Sequence, residues 1–128
     1  MDDRKKILLV EDDEDLRRSL KDKLFRSYEI LEASDGEQAV TLCVDRKPDL
    51  VLLDLLLPKI DGFKVLERIR QYPDAGISQT KVVVLSNLWS QKDILQAKGL
   101  KIDEYFVKAH TKIRDVILRI DEVLEVSA

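Results

Sequence analysis

Two adjacent acids, Glu11 and Asp12, a single Asp54, the hydroxyl of Ser86 and the ammonium of Lys108 are the residues of this sequence that could do chemistry together. Each follows a short apolar run: Ile7-Leu8-Leu9-Val10 before Glu11, Leu50-Val51-Leu52-Leu53 before Asp54, Val82-Val83-Val84-Leu85 before Ser86, and Tyr105-Phe106-Val107 before Lys108. Runs without polar alternation read as strands buried on both faces. An ionised Asp is unfavourable inside a strand and costly to bury without a cation, so Asp54 belongs at a strand's carboxyl end. Clustered carboxylates repel one another, and Glu11, Asp12 and Asp54 are expected to strain an empty crevice until a cation joins them. Oxygen ligands of this kind suit Mg²⁺. Lys108 adds a fixed positive charge and Ser86 a hydrogen-bond donor. A metal, a carboxylate nucleophile, a lysine and a hydroxyl together fit phosphoryl transfer, with Asp54 forming an acyl phosphate.

The elements that must bring these residues together follow from periodicity. Lys6–Val10 reads as a strand, and Leu16, Leu20 and Leu24 recur at helical spacing after it. Asp13, Glu14 and Asp15 are exposed acids at that helix's start, where the dipole favours them. Tyr28–Ala33 is a strand and Ser34-Asp35-Gly36 a turn. Glu37–Lys47 is a helix that buries Ala39, Val40, Leu42 and Cys43 and is stopped by Pro48. After the central strand, Pro58 and Asp61-Gly62 turn the chain into a helix over Phe63–Gln71. A polar loop reaches from Tyr72 to Thr80, and Lys81–Leu85 is the fourth strand. Ser90 with Asp93 resembles a capping box for a fourth helix, Gln91–Lys98, closed at Gly99. Tyr105–Val107 is the last strand, and Thr111 caps a last helix whose stripe is Ile113, Val116, Ile117, Ile120, Val123 and Leu124. Strand and helix alternate five times. That order predicts an α/β three-layer sandwich, a five-stranded parallel sheet flanked by five helices, with its crevice at the strands' carboxyl ends.

Size and composition narrow the function. The 128 residues fit one domain, 1–128. A net charge of −3 gives no general reason to bind nucleic acid directly or an anionic membrane. No apolar run approaches the roughly 20 residues that span a bilayer. The charged start leads straight into a strand, without the pattern of a leader peptide. Cys43 is the only cysteine, which excludes an internal disulfide and fits a reducing cytoplasm; its apolar neighbours make it a core residue. His110, the only histidine, lies in a loop outside any ligand spacing. Trp89 reads as a lid over the core edge, with a partner contact as the alternative.

The segments Ile7–Asp13, Asp49–Gly62, Val84-Leu85-Ser86 and Tyr105–Lys108 resemble the receiver domains of two-component response regulators, over nearly the whole chain. The resemblance implies a flavodoxin-like sheet in the order 2-1-3-4-5. It implies that Asp54 accepts a phosphoryl group from the phosphohistidine of a sensor histidine kinase or phosphotransfer protein. It also implies Mg²⁺ on Asp12, Asp54 and the backbone carbonyl of Leu56, with Glu11 acting through water. Ser86, Asn87 and Lys108 would contact the phosphoryl oxygens, and Ser86 and Tyr105 would form the switch. Asn87 stands where family members usually have a small residue. Ala109 stands where they usually have Pro, which predicts a trans peptide after Lys108. The Gly99–Glu104 segment is longer than the usual turn. Because nothing follows the last helix, the expectation is a stand-alone, chemotaxis-type regulator. Its output would be a downstream protein partner or a homodimer, through the fourth helix, the last strand and the last helix. A receiver-like interaction module that is not phosphorylated is the alternative. A phosphohydrolase of the aspartyl type usually carries a second Asp two residues on, where this chain has Leu56.

Overall fold

A computed structural model of the chain describes residues 2–125; the expected domain span reaches beyond these at Met1 and 126–128, which lie outside the described residues. The apolar runs form β1 (Lys6–Val10), β2 (Glu29–Ala33), β3 (Leu50–Leu53), β4 (Lys81–Ser86) and β5 (Glu104–Val107). They pair in parallel in the order β2-β1-β3-β4-β5. β3 is buried at every residue, as a central strand covered on both faces requires.

Alternate residues of each strand point to opposite faces, and each face builds its own core. On one, Leu8, Val10, Val51, Leu53, Val82 and Val84 meet α2 (Gly36–Arg46) and α3 (Gly62–Arg70) through Ala39, Cys43, Val65, Leu66 and Ile69. On the other, Ile7, Leu9, Leu50, Leu52, Val83 and Leu85 meet α1 (Glu14–Leu24) through Leu20 and Leu24. The same face meets α6 (Ile113–Leu124) through Val116, Ile120 and Leu124. Burial pushes the Cys43 thiol up to about 12, so it stays protonated and acts as a small apolar filler. Tyr28 lies just ahead of β2, and its hydroxyl donates to Asp121 of α6.

Side-chain caps start most of the helices. The Asp13 carboxylate accepts from the N–H groups of Asp15 and Leu16, Asp35 from Gln38, and Asp61 from Lys64. The Tyr72–Thr80 segment differs from a plain loop: it holds a four-residue helix, α4 (Ala75–Ser78), started by Asp74. One turn is too short to leave a periodic signal. At α5 (Gln91–Lys98), Ser90 accepts from the Asp93 N–H, while the Asp93 carboxylate accepts from the Ser90 hydroxyl. The second bond replaces the return to the capping residue's backbone that a full capping box would make. Thr111 does not cap the last helix. A 3₁₀ turn over Lys108–His110 intervenes, the Thr111 hydroxyl donates to the Val107 carbonyl, and Lys112 takes the capping position without a side-chain bond. No peptide bond among the described residues is cis, so Ala109 follows Lys108 in trans as expected.

The β3–α3 connection depends on two close approaches. The Gly62 N–H donates to the Leu55 carbonyl at 2.9 Å, and a Cβ at Gly62 would stand 2.5 Å from the Asp54 carbonyl oxygen. A Cβ at Gly36 would meet the Ile60 carbonyl oxygen at 2.0 Å. Backbone cannot yield as a flexible side chain can, so Gly62→Ala is expected to destabilise the fold by about 1–3 kcal/mol. Urea unfolding measures this; a variant as stable as the wild type would mean that the connection tolerates the extra carbon.

Candidate functional site

Asp54 leaves the end of β3 and is 4% exposed. Its backbone N–H is held by the Val10 carbonyl of β1, and its Oδ1 accepts from the Leu56 N–H at 3.0 Å. Its Oδ2 accepts from Lys108 Nζ at 2.8 Å. Lys108 arrives from the end of β5, on the far side of β4, and the same Nζ lies 2.8 Å from Glu11 Oε1. One ammonium therefore joins the ends of three strands.

Burial sets the electrostatics. The Glu11 and Asp54 side chains are each 4% exposed and that of Lys108 is 18%, so solvent screens the trio weakly. Burial pushes the Glu11 carboxyl above its ordinary value, against the pull of Lys108 and of the Asp13 N–H. Burial also works against the charge on Lys108, but Asp54 and Glu11 outweigh it and hold the ammonium above its ordinary value. The expected strain among three carboxylates is thereby corrected. Lys108 already lies between two of them, and Asp12, the third, is exposed.

Glu11, Asp12 and Asp54 each present one carboxylate oxygen within 4.8 Å of the others. This all-oxygen set at the crevice mouth fits a hard divalent cation. Arg17 was not legible as part of the site. Its guanidinium donates to the Glu11 backbone carbonyl at 2.7 Å and to Glu32 at 3.1 Å, anchoring the acidic turn from α1. A basic residue on a helix surface carries no sequence mark that separates this from ordinary solvation.

Ser86, the last residue of β4, is fully buried and pairs in register with Val107, the residue before Lys108. Its Oγ accepts a long 3.4 Å hydrogen bond from the Leu88 N–H, while the Tyr105 hydroxyl donates to the Leu88 carbonyl at 2.6 Å. The two expected switch residues thus meet through one residue's backbone. Burial, with the charges of Asp93 and Asp54, pushes the Tyr105 phenol up to about 12 and keeps it a donor. Asn87 is exposed at the rim. Trp89 is 73% exposed and is no lid: the chain turns outward after Leu88, toward the Ser90 cap. His110 is exposed at the end of the 3₁₀ turn.

The sequence matches the family described as response regulator receiver domain over residues 7–120. A probable transcriptional regulator ycf27 of Porphyridium aerugineum is 32% identical over 126 residues, covering 93% of this chain and 50% of that protein. The transcriptional regulatory protein SrrA of Staphylococcus aureus is 34% identical over 119 residues, covering 92% of this chain and 47% of its own. The chain spans about half the length of these curated relatives. Among solved structures, the phosphorylated cyanobacterial phytochrome response regulator RcpA superposes with a TM-score of 0.84 at 30% identity, over 98% of this chain and 97% of that one. The Mn²⁺-bound form of response regulator Rcp1 gives 0.84 at 31% identity, over 97% of each chain.

Lys108→Met keeps the stem and removes the charge, leaving two buried carboxylates without their cation. In metal-free buffer the variant is expected to lose about 1–3 kcal/mol of stability in urea unfolding. A divalent cation is expected to restore more stability to the variant than it adds to the wild type. An unchanged midpoint in metal-free buffer would mean that Lys108 does not offset the carboxylate repulsion.

Proposed function

This chain belongs to the response regulator receiver domain family, and on that premise we propose that Asp54 is its phosphoacceptor. The donor is the phosphohistidine of a sensor histidine kinase or phosphotransfer protein. The observation that carries the reading is the setting of Asp54, buried at the end of the central strand with Lys108 on one oxygen, the Leu56 N–H on the other and Glu11 and Asp12 alongside.

In the transfer, an Asp54 oxygen bonds to phosphorus as the phosphorus–nitrogen bond of the donor breaks. The electron pair leaves on the imidazole nitrogen, which takes a proton from solvent. Lys108 holds the carboxylate in place and then shares its charge with the phosphoryl oxygens. Asp12, Asp54 and the Leu56 backbone carbonyl would hold Mg²⁺, with Glu11 acting through a water. When bound, the ion neutralises charge on the phosphoryl oxygens. Asn87, exposed directly after Ser86, would contribute its amide to the same oxygens. The chain acts as a signalling domain that assists its own phosphorylation and dephosphorylation, with no separate substrate of its own.

Ser86 turning toward the phosphoryl group releases the Leu88 N–H, and Leu88 is the residue that holds the Tyr105 hydroxyl. The switch would therefore pass from the end of β4 to β5 through the backbone of one residue, and reach the surface formed by α5, β5 and α6. Trp89, Leu95 and Leu118 are exposed on these elements and the loop leading into them, which suits a downstream protein partner or a homodimer. The setting is cytoplasmic, with one receiver unit over 1–128 and without direct contact to membrane or nucleic acid. Among the described residues, no helix is long and apolar enough to cross a membrane.

Acetyl phosphate with Mg²⁺ is expected to add one phosphoryl group to the wild type by intact mass, and none to Asp54→Asn or without Mg²⁺. An equal gain in Asp54→Asn would assign the acceptor elsewhere. The lifetime of the phosphorylated state follows from the flanks. Leu56 and Leu88 offer no side-chain hydrogen bond to hold a water in line with phosphorus. Leu56→Asn and Leu88→Asn are each expected to speed the loss of phosphate by about tenfold or more. If the wild type loses its phosphate as fast as they do, the apolar flanks do not set the lifetime.

A further inference from the structure

The amino edge of the sheet carries a second concentration of charge that the phosphoacceptor reading does not use. A cavity of about 310 Å³ opens there, lined by Arg70, Thr80, Lys81, Leu100, Lys101 and Asp103 among others. Lys81 begins β4 and Ser86 ends it, so the cavity lies roughly 16 Å along the strand from the carboxyl edge.

Arg70, the last residue of α3, is held in an unusual way. Its Nε donates to the Leu100 carbonyl at 2.8 Å. One terminal nitrogen donates to the carbonyls of Ser78 at 2.9 Å and Thr80 at 2.7 Å, and the other to the Lys101 carbonyl at 2.9 Å. All four partners are backbone carbonyls. A guanidinium has five N–H groups, so one donor is left uncommitted while the fork is fixed. Burial pulls the Arg70 guanidinium below its ordinary value, while the charge of Asp103 works against that pull.

Two more cations flank the cavity. Lys81 and Lys101 are exposed, and among the described residues neither ammonium pairs with a carboxylate. Lys101 is in the left-handed region at φ 63, in the long turn between α5 and β5. Against these three charges stand Asp103, one of whose oxygens accepts from the Val82 N–H at 2.9 Å, and the carbonyl ends of α4 and α5. The single turn of α4 is too short to build a helix dipole, so Asp103 and the end of α5 together offset about one and a half of the three charges. About one and a half positive charges remain beside the fixed guanidinium.

We propose that this cavity is a binding site for a small oxyanion-bearing molecule of the phosphate monoester class, held by the free Arg70 N–H and the ammonium groups of Lys81 and Lys101. A phosphate group presents three acceptor oxygens and a charge that matches the remainder, and the volume is at the small end of ligand sites. The site is independent of Asp54.

The test is titration of the metal-free protein with inorganic phosphate, read by amide and Arg70 Nε–H chemical shifts, with chloride at equal ionic strength as the control. The expected result is a saturable shift at Thr80, Lys81, Leu100, Lys101 and Arg70 Nε, absent with chloride and unchanged in Asp54→Asn. Lys81→Ser with Lys101→Ser replaces two exposed side chains, leaves the Arg70 bonds in place, and is expected to weaken binding about tenfold. A linear response, an equal effect of chloride, or undiminished binding by the double variant would overturn the site.

Discussion

The Lys108 ammonium, 2.8 Å from both Glu11 and Asp54, is the interaction that the carboxyl edge of the sheet depends on. It draws β1, β3 and β5 together at their ends and crosses the line of β4 to do so. Removing a partner from a buried ion pair costs more than the pair contributes, because the charge left behind has lost its water. The trio therefore favours any process that exchanges one cation for another or adds an anion within reach of Lys108. The proposed phosphorylation of Asp54 would be such a process: it would remove one carboxylate partner from the ammonium and return a phosphoryl group carrying more negative charge. The exposed Asp12 beside this buried trio gives an incoming cation a place to begin.

The link from this edge to the outside is short. Leu88 gives its N–H to Ser86 and its carbonyl to Tyr105, so the two bonds sit on the peptide planes either side of one α-carbon. The 3.4 Å bond is weak and the 2.6 Å bond strong, so of the two the bond at Ser86 yields first. That is the end at the carboxyl edge of the sheet. Tyr105 packs against the core on the α2–α3 face from β5, the edge strand, which is only half-buried along its length.

Most of the fold was legible because burial on both faces leaves continuous apolar runs, and a carboxylate ends the first and third abruptly, a hydroxyl the fourth and a lysine the last. The positions of Asp54, the acid pair and Lys108 at one edge of the sheet could be read from those abrupt endings. What they do to one another could not. That Lys108 joins Glu11 to Asp54 depends on β5 lying two strands from β3, which no local spacing encodes. The missed α4 has too few residues for a period, and the displaced cap at Thr111 follows from a 3₁₀ turn whose residues have no distinctive signature. Arg17 and Arg70 each hold backbone carbonyls from other elements, and a basic residue at a helix surface looks the same in sequence whether it does so or faces water. The outward position of Trp89 ran against its apolar character, which a sequence alone assigns to the interior.

Among the helices that flank the sheet, α5 is held least by the core. Ala97 is its only buried residue, and Leu95 is 61% exposed. Its ends are fixed instead by Ser90 at the start and by Arg70 on the carbonyl of Leu100 just beyond its finish. Substitutions along its outer face therefore cost the fold little. In evolutionary terms, the sequence of this helix is free to drift while the buried trio of Glu11, Asp54 and Lys108 stays fixed, so the outer surface and the crevice can diverge at different rates within one chain.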